Sequence, residues 1–162
     1  MSEPAQARAQ AEMLFQRAYA QQIAGKLADA IILYKDSIEV YPTAEAHTFL
    51  GWTYSFLGRY DDAIDECKKA IEVDPTFGNP YNDIGAYLIE LDRQREAIEW
   101  LEKATVASRY EAPHFPWVNL GRVYEKIGPW SEALRCYRKA IEIMPEYEEA
   151  RRRLNALLAR MN

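Results

Sequence analysis

The side chains here best suited to acid–base, nucleophilic or metal chemistry are His47 and His114, Cys67 and Cys136, and the carboxylates Asp61, Asp62, Asp65 and Glu66. Their spacing does not assemble a site. A catalytic or structural metal needs three or four clustered ligands, and two isolated histidines with two distant cysteines form neither a C-x-x-C pair nor an H-E-x-x-H pair. There is no glycine-rich phosphate loop and no G-x-S-x-G elbow to hold a nucleophile. Four acids within six residues are what the partial positive charge of a helix N-terminus favours. The expectation is a protein that is not an enzyme, with no catalytic residues, no metal and no cofactor.

What must position these residues is legible in a repeated spacing. One copy runs Trp117-x-x-Leu120-Gly121-x-x-Tyr124, Gly128, Ala133-x-x-x-Tyr137, Ala140 and Pro145. A second reproduces it as His47-x-x-Leu50-Gly51-x-x-Tyr54, Gly58, Ala63-x-x-x-Cys67, Ala70 and Pro75. A third lies between them as Tyr81-x-x-Ile84-Gly85-x-x-Leu88, Ala97-x-x-x-Leu101 and Ala104. A fourth precedes all three, with Leu14, Ala18, Gly25, Ala30-x-x-x-Tyr34, Ser37 and Pro42. The pattern resembles the tetratricopeptide repeat, a helix–turn–helix of about 34 residues.

The resemblance implies an all-α fold, a right-handed α-solenoid of four helix pairs with a C-terminal capping helix. It divides a single domain, 1–162, into a leader 1–10, repeats 11–43, 44–77, 78–113 and 114–147, and a cap 148–162. Elementary stereochemistry agrees with this division. A glycine inside a helix costs about 0.5–1 kcal/mol relative to alanine, so Gly51, Gly85 and Gly121 signal close helix contact, with Ala63, Ala97 and Ala133 as the opposing small residues. Gly25, Gly58 and Gly128 suit the turns between paired helices, and Pro42, Pro75 and Pro145 stop the second helices. Asp61 is the expected N-cap of its helix, and Pro129 the expected first residue of its own. The third repeat departs from the pattern: Asp92 replaces the turn glycine, and residues 108–116, including His114, form a longer loop. The last helix places Ala150, Leu154, Leu157, Leu158 and Met161 on one face, which leaves Arg151, Arg152 and Arg153 on a solvated side.

Charge and composition then narrow the partner. The 162 residues carry 20 Lys and Arg against 25 Asp and Glu, a net charge of −5 that disfavours nucleic acid and anionic membrane. The start of the chain lacks the pattern of a secretory signal, and two cysteines suit a reducing compartment, so the expected location is cytoplasmic. The resemblance implies a protein-interaction module, an adaptor or scaffold, that holds a protein or peptide segment in a concave groove built by the first helix of each repeat. Phe15, Tyr19, Phe49 and Trp52 are the expected apolar anchors of that groove, and Asn82, Asn119 and Arg122 its polar contacts, the two asparagines reading a partner's backbone. A related subset of the family clamps chaperone carboxyl termini with Lys and Asn. The corresponding positions here read Thr48, Trp52, Asp83, Phe115 and Asn119, so the expected partner is an apolar or basic-apolar segment. A monomer is expected. Two alternatives remain at this point: a small export or assembly chaperone shielding an apolar segment, and a self-assembling scaffold subunit.

Overall fold

Wherever a second helix of the sequence repeat runs into proline, the chain leaves the helix one residue earlier: Tyr41, Asp74 and Met144 are extended, with φ of −158°, −143° and −135°. The residue before proline cannot remain helical without a clash. These stops, with the turn glycines, set the boundaries in a computed structural model that describes residues 2–161. The described residues form α1 (Glu3–Ile23), α2 (Leu27–Val40), α3 (Ala44–Phe56), α4 (Tyr60–Val73), α5 (Asn79–Glu90), α6 (Gln94–Thr105), α7 (His114–Ile127), α8 (Trp130–Ile143) and α9 (Glu148–Met161). The fold is all-α, as expected. It consists of two compact units, one ending at Pro75 and the other starting at Thr76, where the sequence reads as a single domain.

In the first unit α1 packs on α2, α3 on α4, and α2 on α3. Residues 3–10 of the expected leader are the start of α1, with Pro4 in its first turn. Residues 1 and 162, counted in the leader and the cap, lie outside the described residues. In the second unit α5 pairs with α6 and α7 with α8, α7 also meets α5 and α6, and α9 lies against α8. Ala150 and Leu157 of α9 join Val118, Leu134, Tyr137 and Ala140 in one buried cluster, which is how the last helix covers the end of the core. Arg151 and Arg152 are exposed, while Arg153 bonds Glu149 at 2.8 Å.

The repeat signature turns out to be a lock between paired helices. Ala30, Ala63, Ala97 and Ala133 are fully buried, and so are Tyr34, Cys67, Leu101 and Tyr137, four residues further on. The mid-helix glycines face this second set as well as the alanines. A Cβ on Gly85 would strike the Leu101 side chain, and one on Gly121 the Tyr137 ring. In the second repeat, where the large residue is only Cys67, a Cβ on Gly51 would sit 2.9 Å from the Ala63 carbonyl oxygen and 3.3 Å from the Cys67 sulfur. Where the large residue is tyrosine, it finds an acceptor four residues past the small position: Tyr34 Oη donates to Gln22 Oε1 at 2.7 Å, and Tyr137 Oη to Glu125 Oε2 at 2.7 Å. A buried phenol needs such a partner.

Three local expectations change, and a fourth, Asp92 in place of a turn glycine, holds. Asp61 lies inside the first turn of α4, because Arg59 takes the N-cap position and its carbonyl accepts from Ala63 N at 3.0 Å. Pro129 is the N-cap of α8, and the helix begins at Trp130. Asp92 replaces the turn glycine by adopting φ +61° itself, and Gln94 Nε2 donates to its carboxylate at 3.1 Å. His114 is the first residue of α7 and is buried, so the loop ends one residue before it. That loop folds back on the start of the second unit. Gly78 N donates to the Arg109 carbonyl at 2.9 Å, Arg109 N to the Thr76 carbonyl at 3.0 Å, and Tyr110 sits against the bare face of Gly78.

The lock predicts the effect of one methyl group. Gly85→Ala overpacks against Leu101 and is expected to cost roughly 1–3 kcal/mol in urea unfolding, whereas Gly85→Ala with Leu101→Ala should cost less than the two single changes summed. Strict additivity, or an unchanged midpoint for Gly85→Ala, contradicts the packing described.

Candidate functional site

The residues expected from sequence to bind a partner fall into one cluster in each unit. In the first unit the helix spacing sets Phe15 and Tyr19 four residues apart on α1, and Phe49, Trp52 and Phe56 three and four apart on α3, so each set lies along one helix face. The rings form a ladder. Phe15 meets Phe49 at 5.2 Å between centroids, Tyr19 meets Phe49 at 5.7 Å, Phe49 meets Trp52 at 5.7 Å, and Trp52 meets Phe56 at 5.1 Å. Most contacts are steeply tilted or edge-to-face, the geometry that aromatic quadrupoles favour. Tyr34 closes the ladder from beneath, against Phe15 at 5.6 Å. Phe49 is thus the hub, while Tyr19, 39% exposed, and Phe56, 56% exposed, are the open ends. The sequence reading missed Phe56, although its position one turn beyond Trp52 puts it on the same face.

In the second unit Asn82, Asn119 and Arg122 also come together, but not as free amides. Asn119 Nδ2 donates to Asn82 Oδ1 at 3.0 Å, and Arg122 Nη1 donates to Asn119 Oδ1 at 3.1 Å. Asn82 is buried, its oxygen accepting from Asn119 on the neighbouring helix, and the Asn119 oxygen accepts from Arg122 within α7, so both amides expected to read a partner's backbone already hold a partner within the chain. Beside them a cleft of about 560 Å³ is walled by Arg122, Lys126 and Arg160 facing Glu90, Asp92 and Glu125. Its cations are already met by acids, Arg160 on Glu125 at 2.8 Å, Arg122 on Glu90 at 3.5 Å and Lys126 on Asp92.

The residues with chemical potential take structural places. His47 Nδ1 is 2.7 Å from Glu66 Oε2, and Lys69 Nζ donates to the other Glu66 oxygen at 2.7 Å. Burial pushes the Glu66 carboxyl up, but the hydrogen bonds from His47 and Lys69 outweigh it and hold the group below its usual value. His114 stacks on Phe115 at 4.2 Å and Tyr147 at 4.8 Å, its Nδ1 has no partner, and burial holds its imidazole below the usual pKa. Both cysteines are buried thiols outside any disulfide, and burial pushes Cys136 up to about 11. Among the described residues no group of three or more His, Cys, Asp or Glu is placed to hold a metal ion, and no helix is long and apolar enough to cross a membrane.

Charge separates the units. Up to Pro75 the chain has 12 acidic and 7 basic side chains, the whole net charge of −5, whereas from Thr76 on it has 13 of each. The aromatic ladder therefore belongs to the acidic unit.

Comparison with known proteins gives the same frame. Residues 44–77 and 114–147 each match a family model described as tetratricopeptide repeat. The small glutamine-rich tetratricopeptide repeat-containing protein 2 of Mycosarcoma maydis is 35% identical over 75 residues, 46% of this chain and 21% of that protein, so the match spans about a fifth of the relative's length. Among solved structures, MamA is 27% identical with a TM-score of 0.74, over 86% of this chain and 81% of that one. Pseudomonas aeruginosa pilF, 22% identical, superposes with a TM-score of 0.87 over 96% of this chain and 69% of its own.

One side chain beside the asparagines is out of balance. Asp83 accepts a hydrogen bond from Asn82, yet burial outweighs it and pushes the carboxyl up to about 7. Between about pH 4 and 7 the native chain then holds a proton that the unfolded chain has lost, so this group makes stability fall as pH rises through that window. Asp83→Asn cannot ionise. Its stability relative to the parent is expected to rise by roughly 1–3 kcal/mol from pH 4 to pH 8 in denaturant titrations, and a pH-independent difference contradicts the assignment.

Proposed function

We propose, from the premise that this chain is a tetratricopeptide-repeat protein, that it is a protein-interaction module whose first unit captures an apolar or basic-apolar segment of another protein on the ladder Phe15, Tyr19, Phe49, Trp52 and Phe56. The observation that carries this reading is the ladder itself. Aromatic rings that only filled the core would be covered, as Tyr34 and Tyr137 are. Here the ring system runs from the buried Tyr34 through Phe49 to the exposed edges of Tyr19 and Phe56, giving a rigid apolar surface already held in place. Such a surface supplies binding energy at low entropic cost, because the rings are ordered before a partner arrives.

The charge of the unit adds the second half of the reading. A net −5 confined to residues up to Pro75 attracts basic segments and repels acidic ones, chiefly through encounter rate and choice of partner. Apolar side chains would rest on the rings while Lys or Arg on either side meet the acidic surroundings. Groove binding by Arg122 and the asparagines is the weaker part of the expectation, since those groups are engaged with one another.

Selection of random dodecapeptides on the full chain tests this directly. Enriched peptides are expected to combine aromatic or aliphatic residues with Lys or Arg. Trp52→Ala together with Phe56→Ala, both on the open side of the hub, should weaken the best of them at least tenfold while leaving the helical content unchanged. Retained affinity in that variant, or enrichment of acidic peptides, contradicts the reading.

A further inference from the structure

The second repeat departs from the third at two of three linked positions. In the third repeat these positions are Tyr81, Trp100 and Lys103: the two rings lie 6.3 Å apart between centroids, and the Lys103 ammonium stands 5.0 Å from the centre of the indole. Thirty-four residues earlier the same positions read His47, Glu66 and Lys69. The lysine is kept and both rings are replaced. The fourth repeat has one large ring and the lysine, as Trp117 and Lys139, with the Arg135 guanidinium over the Trp117 ring at 5.6 Å.

At these positions of the first unit lies a cavity of about 260 Å³. Leu50 and His47 of α3 and Glu66 of α4 form its buried side, with the partly buried Ile38 of α2 beside them. The exposed Lys35, Glu39 and Lys69 edge it. Drug-sized ligands occupy pockets of roughly 300–1,000 Å³, so this one has the size for a single side chain. Its polar wall is set in advance, because Glu66 bonds Lys69 Nζ with one oxygen and His47 Nδ1 with the other, each at 2.7 Å. His47 and Phe49 are two residues apart on α3, about 200° round the helix, so the cavity is not on the face that carries the ladder. Two lysines and two carboxylates surround it, and a charged side chain of either sign would meet its own kind as well as its opposite. An aromatic ring suits both, with a negative face for an ammonium group and a positive edge for a carboxylate.

We infer that this cavity, bounded by α2, α3 and α4, receives one tryptophan side chain of a partner protein, which supplies from outside the ring that the third repeat carries in its own sequence. Tryptophan is preferred to phenylalanine or tyrosine for two reasons. Indole has the strongest attraction for a cation over its face, and indole is what the third and fourth repeats place at one or other of these positions, each time under a cation. Leu50 and Ile38 give the ring an apolar floor, and Lys69 takes the part that Lys103 plays on Trp100. The inference rests on the segment-binding reading only for the source of the tryptophan, and it gives the first unit a second anchor on a side that the aromatic ladder does not use.

The test adds N-acetyl-tryptophanamide, or N-acetyl-leucinamide as its counterpart without a ring, to the full chain carrying carbon-13 methyl labels. The methyl signals of Leu50 and Ile38 are expected to move upfield with saturation, through the ring current of the bound indole, and the leucine amide to bind at least fivefold more weakly. Lys69→Gln should weaken the indole about threefold. His47→Tyr together with Glu66→Trp rebuilds the pair found in the third repeat, and should abolish the response while keeping the helical content. The Trp52→Ala, Phe56→Ala variant should respond as the parent does, which separates a failure of this cavity from a failure of the ladder. No saturable shift at Leu50 and Ile38, equal binding of the two amides, or an unaltered response in Lys69→Gln or in the folded His47→Tyr, Glu66→Trp chain overturns the proposal.

Discussion

Everything in this chain depends on how closely two helices of a pair can approach, and that distance is set by what one helix omits. Gly51, Gly85 and Gly121 carry no side chain where the partner helix brings up Cys67, Leu101 and Tyr137, and these larger residues are wholly buried in the space provided. The size of the intruding group decides which atoms touch. Leucine and tyrosine present their own side chains to the missing Cβ, while at Gly51 the nearest atom is the Ala63 carbonyl oxygen, ahead of the Cys67 sulfur. The hydrogen bonding follows the same choice. Tyrosine at this position brings an oxygen acceptor on the facing helix, Gln22 or Glu125.

Because the pairs are locked on one side, the other side of each first helix is released from packing duty. That freedom is used differently in the two units. On α1 and α3 it holds an aromatic series that begins in the core at Tyr34 and reaches the surface at Phe56. On α5 and α7 it holds a polar chain from Arg122 through Asn119 to Asn82. The same repeat scaffold thus offers an apolar surface in an acidic setting and a hydrogen-bonded amide chain in a neutral one. Function in a repeat protein is written in such departures from the consensus, since the consensus itself is spent on stability.

The parts of the fold that were legible in the sequence are those where a residue type has one physical use. Proline after an extended residue, glycine at a turn with positive φ and alanine at a close contact recur at fixed intervals, so the helix ends and the core register could be read directly. The legible part of the site was its apolar half, because Phe15, Tyr19, Phe49 and Trp52 share a helical face by spacing alone. What escaped was set by contacts between distant residues. Nothing local says that Asn82 and Asn119, 37 residues apart, bond each other, or that the loop from Val106 to Pro113 folds back on Thr76 and Gly78. His114 was misplaced for the same reason, since its burial comes from Tyr147, which arrives with the turn before α9.

The central claim is that binding happens on the exposed faces of the first helices, above all α1 and α3. It is tested most directly by assigning the backbone amides of the full chain and adding one selected apolar-basic peptide to saturation. Shifts concentrated on α1 and α3, with the Trp52 indole signal among the largest, are the predicted result. Shifts confined to the outer faces of α2 and α4, with the ladder unperturbed, would contradict the account.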